Sequence, residues 1–413
     1  MAVNPFSPGP ASAPPVLAGR EAWFAEFAAQ MERARRGMSG TPRVLLGVRG
    51  VGKTVLLQQF VLDARKEGFA AVRLTIDPDR SLIVQLAEEV PFLIDQLHEK
   101  RQPGRAAKAS VKTAKASVNF GVFSAEAAGE MHRPAPTTLN GILRYLASEA
   151  VRTTRGVAIM VDELHDAPLT DLRAFGRAVQ ETSAEKMPIV WVGAGLPVLR
   201  ERAPEAGATS FTERADWANV PFLTPSQTRT ALEEPALRAG IRIEMAALDL
   251  MVDTASGYPY MVQMVGRHVW DTAGDTDVIT LAHAKAGIVT AYDHLDRGLY
   301  GLRWAKCTPR EQAILAAIAK VGQTTGRTEV PIGDVARMLN CTTRQLSSVR
   351  ERLISKEAIE SAGHGTVQFT LPGMGASILR TISRNPQPAP ADLRTQPPQD
   401  PGRFSFSLHA ERK

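Results

Sequence analysis

Gly47-Val48-Arg49-Gly50-Val51-Gly52-Lys53-Thr54 fits the P-loop pattern G-x-x-x-x-G-K-[ST] in full. The glycines let the backbone turn tightly and aim its N–H groups at phosphate oxygens. The amino end of a following helix adds partial positive charge. In this reading Lys53 reaches the β- and γ-phosphates and Thr54 ligates Mg²⁺. The pattern means something only between a strand and a helix, and both flanks qualify. Arg43–Leu46 is a short apolar run, and Thr54 to about Lys66 reads as a helix with Val55, Leu56, Phe60 and Leu62 along it.

Working outward, Ala70–Ile76 reads as a strand and Ser81–Lys100 as a helix. Val157–Val161 and Ile189–Val192 read as further strands, each preceded by a helix. Strands alternating with helices predict a parallel α/β sheet covered on both faces. The strand at Val157–Val161 ends in Asp162-Glu163. An aspartate there suits Mg²⁺ held through water, and the adjacent glutamate suits orienting and deprotonating an attacking water.

Composition narrows the class. The chain has 413 residues, 44% hydrophobic and 22% charged, which predicts two or three globular domains. Cys307 and Cys341 have no Cys or His at metal-binding spacing, so neither a disulfide framework nor a zinc site is expected. No apolar run approaches the roughly 20 residues that span a bilayer, and MAVNPFSPGPASAPP lacks the regions of a signal peptide. A cytoplasmic location is expected. Residues 1–15 and 384–413 read as disordered tails rich in Pro and Ala, and residues 101–136 as an exposed insertion rich in Ala, Ser, Lys and Gly.

Several segments together resemble a family: Leu17-Ala-Gly19-Arg20-Glu21, the loop at 47–54, VDELHD at 161–166, Val192-Gly-Ala-Gly-Leu-Pro197 and Gly257-Tyr-Pro-Tyr260. They resemble AAA+ ATPases, in particular the origin-recognition-like and archaeal-type ATPases that overlap with the STAND signalling ATPases. The resemblance covers roughly residues 16–372. It implies a P-loop NTPase sheet over 16–222, a helical lid over 223–302 and a winged-helix domain over 303–383. It implies ATP and Mg²⁺ as ligands. Gly19 and Arg20 would belong to the adenine-side loop, with Gly47, Val48, Arg49, Gly50, Val51, Gly52, Lys53 and Thr54 around the phosphates. Arg214 falls where such proteins place an arginine finger acting on a neighbour's nucleotide, with Arg200 and Arg202 as competitors. Two positions depart from the family. The polar sensor expected after the fourth strand is replaced by Gly193-Ala-Gly195, and the lid arginine by Tyr260. Both changes favour a slow nucleotide switch over a motor.

Three sites read as helix-starting capping boxes: Thr224-Pro-Ser-Gln227, Thr308-Pro-Arg-Glu311 and Thr342-Thr-Arg-Gln345. In the last helix Leu346, Val349 and Leu353 face a core, while Arg344, Ser348 and Arg352 lie elsewhere. Two strands around Gly363-His364-Gly365 would form a wing. Residues 303–384 hold 12 Lys/Arg against 6 Asp/Glu, which is the whole of the chain's net +6. Duplex DNA is therefore the expected partner, read by Arg344, Ser348, Arg352 and His364. The alternative is a STAND-like signalling ATPase whose winged helix contacts protein. Self-association is a further expectation. A chaperone-like remodeller lacks a substrate-pore motif.

Overall fold

The computed structural model describes residues 3–9, 11–38, 41–99, 138–363 and 365–384. The expected insertion at 101–136, His364 and nearly all of the carboxyl-terminal tail lie outside the described residues. The chain divides into two compact units at Ala291/Tyr292.

The first unit opens with α1 (Glu21–Arg35), followed by β1 (Arg43–Leu46), α2 (Lys53–Lys66), β2 (Ala70–Thr75) and α3 (Leu82–His98). Then come α4 (Leu139–Arg152), β3 (Val157–Asp162), α5 (Leu169–Ala184), β4 (Ile189–Gly195), α6 (Leu199–Glu205), α7 (Thr209–Arg214) and β5 (Asp216–Asn219). The strands form one parallel sheet in the order β2-β3-β4-β1-β5. Alternate residues of each strand serve opposite faces. Val44, Leu46, Val72, Leu74, Ile159, Val161 and Trp191 pack with α3, α4 and α5. Leu45, Ala71, Ala158, Met160, Val190 and Val192 pack with α1 and α2. Burial on both faces is why the strands read as continuous apolar runs and not as alternating ones. The sequence reading did not find α1, whose charged surface dilutes its apolar stripe of Phe27, Met31 and Ala34.

After β5 the unit is helical apart from one small strand pair. α8 (Pro225–Arg238), β6 (Arg242–Ile243), α9 (Met245–Ala255), α10 (Pro259–Ala273) and β7 (Val278–Ile279) precede α11 (Leu281–Arg297), in which the division between the units falls. Residues 3–9 depart from the expected disordered tail. Phe6 is buried and edge-on to Trp270, and Asn4 donates to Arg267 O and Asp271 Oδ1. Gly266 makes the seat: a Cβ there would stand 2.5 Å from the Phe6 ring. A single aromatic in a Pro/Ala/Ser stretch gives composition little sign of this anchor.

The second unit contains α12 (Leu299–Ala305), α13 (Pro309–Thr325), β8 (Val330–Pro331), α14 (Ile332–Met338), α15 (Thr343–Ser355), β9 (Ile359–Gly363), β10 (Thr366–Phe369) and α16 (Met374–Arg384). The strands form an antiparallel sheet in the order β8-β10-β9. Ile314, Leu315, Ile318, Leu346, Val349 and Leu353 are all buried. All three capping boxes form, with reciprocal side-chain and backbone bonds at Thr224/Gln227, Thr308/Glu311 and Thr342/Gln345. The unit begins ahead of the expected boundary at 302/303 because α16 holds the end of α11. Arg380 pairs with Asp296 at 2.7–2.8 Å and lies over the Tyr292 ring, and Arg384 reaches Asp293.

Candidate functional site

The loop after β1 is shaped by its glycines. Gly50 (φ +80) and Gly52 (φ +100) take left-handed conformations, and Gly52 leads straight into α2. Among the described residues no side chain caps the amino end of α2, whereas Ser81, Thr138 and Thr224 cap the helices that follow them. Its first N–H groups therefore face the loop. Lys53 is the first residue of α2, and its ammonium lies across the loop, donating to Gly47 O at 2.6 Å and Val48 O at 3.1 Å. Thr54 follows it, half-buried. Val51 plugs the loop from below, and Arg49 and Gly50 are exposed.

Arg20 braces this loop from outside. It is 4% exposed and donates to Val51 O at 3.3 Å and Pro221 O at 3.0 Å. Burial lowers its affinity for a proton, opposed only by Glu21. Gly19 (φ +70) lies against the Gln227 side chain of the α8 capping box, where a Cβ would clash at 2.3 Å.

The sheet order sets β4 between β1 and β3, so the end of β4 lies between the phosphate-type loop and the acids after β3. Asp162 is 1% exposed. Its Oδ1 accepts from the Glu163 N–H at 3.0 Å and its Oδ2 from Arg73 Nη1 at 3.1 Å, and Arg73 also donates to Thr75. Glu163 turns the chain in a left-handed conformation (φ +53). Burial raises its pKa above the usual carboxylate range. Asp162 adds to the rise, and Lys53 and Arg49 pull against it. A carboxyl raised in this way is a better proton acceptor than a free carboxylate.

The two sensor departures have structural reasons. Side chains at Gly193 and Gly195 would meet Leu164 at 3.2 Å, and Leu199 at 2.9 Å and the His165 backbone at 3.3 Å. The turn Leu164–Asp166 occupies the space a polar sensor would need. On the lid side, Tyr258 stands on the loop itself. It is 1% exposed, and its hydroxyl donates to Arg49 O at 2.8 Å. Gly50 is required beneath it, since a Cβ would lie 2.3 Å from the Tyr258 oxygen and 3.0 Å from Tyr260 Cβ. Gly257 (φ +71) presses on Leu223 O and accepts from Leu223 N–H. Tyr258, His165 and Arg73 carry no functional signal of their own in the sequence. Their only signal was position inside a motif or strand.

Arg214 ends α7 and is exposed. It precedes β5 at the amino end of the sheet, whereas the loop follows the carboxyl end of β1, with Arg43 opposite Asp216 and Leu46 opposite Asn219. At about 3.3 Å per residue this separates the two by more than about 10 Å, so Arg214 cannot serve its own loop. Arg202 is committed to Ala167 O, and Arg200 is exposed on α6.

In the second unit, α15 buries Leu346, Val349 and Leu353 and exposes Thr343, Arg344, Gln345, Ser347, Ser348, Glu351 and Arg352. Arg352 is only half free: its Nε lies 3.4 Å from Glu311, a carboxylate with 0% exposure that also accepts from Lys356 at 2.7 Å. Burial alone would raise the Glu311 pKa, but the bonds from Lys356 and Thr308 hold it below the usual range.

Residues 16–192 match the AAA ATPase domain family, and residues 297–378 match a domain of unknown function, DUF8462. No curated protein matches the chain. Among solved structures, the Aeropyrum pernix ORC2 protein, determined as ADPNP–ADP complexes, is similar with a TM-score of 0.55 at 15% identity, covering 90% of this chain and 96% of that one. The Walker-type ATPase PABY2304 of Pyrococcus abyssi is similar with a TM-score of 0.56 at 16% identity, covering 88% and 96%. The fold is that of these ATPases, with a central parallel sheet and flanking helices.

Proposed function

On the premise that residues 16–192 are an AAA ATPase domain, we propose that the chain binds ATP with Mg²⁺ at Gly47–Thr54 and uses slow hydrolysis as a conformational switch. The switch controls a DNA-binding winged helix over residues 303–383. The observation that carries the switch is the bond from Tyr258 to the Arg49 carbonyl at 2.8 Å, which ties the helical lid to the phosphate-type loop. A phosphate that rearranges the loop must strain or release that bond.

Thr54 and Asp162 would hold Mg²⁺. The fit is chemical: a buried carboxylate at a strand end keeps lone pairs beyond those taken by Glu163 N–H and Arg73. When bound, the ion neutralises charge on the β- and γ-phosphates. Lys53 leaves its carbonyl partners to add a second charge there, and Glu163 takes the proton of the attacking water. Arg214 acts on the nucleotide of a neighbouring copy. The small residues at the end of β4 and the tyrosines of the lid supply no further charge, which supports slow turnover.

Helix α15 supports DNA as the partner. It offers a capped amino end, a hydroxyl-rich exposed face and an exposed Arg344. The test is duplex binding with and without ATP across a salt series. An ATP-dependent change in affinity is expected, and binding indifferent to both nucleotide and sequence would overturn the reading. A signalling switch with a protein partner is the second reading, favoured by the Gly257-Tyr258-Pro259 seat of the lid.

A further inference from the structure

His165 is 5% exposed, yet neither ring nitrogen makes a hydrogen bond among the described residues. Its Nδ1 lies 3.4 Å from Glu163 Oε2 and its Nε2 lies 3.4 Å from Asp166 Oδ1, near both carboxylates but aligned with neither. Glu163 Oε2 is itself buried without a hydrogen-bond partner. Buried polar atoms are ordinarily paired, and a small cluster left open in this way marks a place completed by a further group. The cluster stands beside the acids after β3 and against the end of β4. Its seat is rigid, because Gly193 and Gly195 bring Leu164 and the His165 backbone hard against that strand.

We propose that His165 is a positioning residue for hydrolysis, whose imidazole orients the Glu163 carboxylate toward the attacking water. The inference rests on the reading of Glu163 as the base. Burial, with Arg49, Lys53 and Arg202 acting in the same direction against Asp166, holds the imidazole neutral, with a pKa of about 4. A neutral ring has one N–H donor and one acceptor. With the proton on Nδ1 it donates to Glu163 Oε2. The carboxylate then keeps its other oxygen for the water, and no net charge is added beside the loop. The polar group missing from β4 is supplied from the turn after β3.

The test measures the turnover number and the ATP dissociation constant, with Mg²⁺, on the full chain for His165→Leu, His165→Gln and Glu163→Gln. Leucine keeps the volume and removes both polar atoms, and glutamine restores a donor and an acceptor. His165→Leu should lower turnover about 10- to 100-fold, the scale of a misplaced catalytic group, with ATP affinity within about twofold. His165→Gln should recover part of that loss. Wild-type turnover in His165→Leu overturns the inference. So does an equal loss in the leucine and glutamine variants, or a loss of ATP affinity that parallels turnover, since these mark a structural role. If Glu163→Gln is inactive and His165→Leu is normal, the inference alone fails. If the wild-type chain does not hydrolyse ATP, or Glu163→Gln turns over normally, the reading of the base fails and the inference with it.

Discussion

The two units handle charge in opposite ways. The first buries Lys53, Asp162 and His165 around one loop and strand end, where Lys53 and Asp162 are hydrogen-bonded and the His165 ring is not, among the described residues. The second buries Glu311 but satisfies it fully through Thr308, Lys356 and Arg352, and keeps Arg344 in solvent. Buried polar groups with spare bonding capacity point to chemistry, because the fold bears their cost without using all their bonds. A buried charge whose bonds are all taken points to stability. An exposed one is solvated, and any attraction it has for a polyanion falls with salt.

The largest effect should come from Lys53→Ala. It removes the ammonium that lies across the loop and should abolish ATP binding measured by calorimetry. Normal affinity in a folded variant would end the contrast between the units. Next, Glu163→Gln should bind ATP normally and lose turnover by about 10²- to 10⁴-fold, and a single-turnover assay decides it.

A pH series on His165 probes the same unit through stability. Its folded pKa is depressed to about 4 from 6.5, so its contribution is complete above pH 6.5. That contribution is lost as pH falls towards 4, because the unfolded chain takes up a proton that the folded one refuses. Urea melts should show wild type losing up to a few kcal/mol more than His165→Gln across that window. Parallel curves would place His165 in solvent-like surroundings.

Glu311→Ala should destabilise the second unit by about 2 kcal/mol, through loss of a capping-box partner and of its bonds from two half-exposed cations, and leave ATP affinity unchanged. An altered ATP affinity would break the division of roles. The smallest effect is expected at Arg344. If Arg344 contacts phosphate, Arg344→Ala should weaken all duplexes about equally and lower the slope of log K against log salt by about one. A loss confined to one sequence position would instead make it a base contact, at about 1–3 kcal/mol.

What the sequence determined by itself was local. The eight residues of the P-loop specify their own turn, and a capping box needs only residues i and i+3. A strand buried on both faces announces itself as an apolar run. The tertiary structure decided what depends on chain segments meeting. Tyr258 reaches the Arg49 carbonyl across 209 residues, Arg20 reaches Pro221 across 201, and Arg73 reaches Asp162 across 89. Phe6 packs where Gly266 leaves room for its ring. The same holds for the glycines at 193 and 195, which sequence reading took as a missing sensor and which the fold uses to seat His165. A backbone turn or a cap is set by neighbours a few bonds away. A pairing between strands, lid and loop is set by topology, and so is the burial that shifts Glu163 and His165.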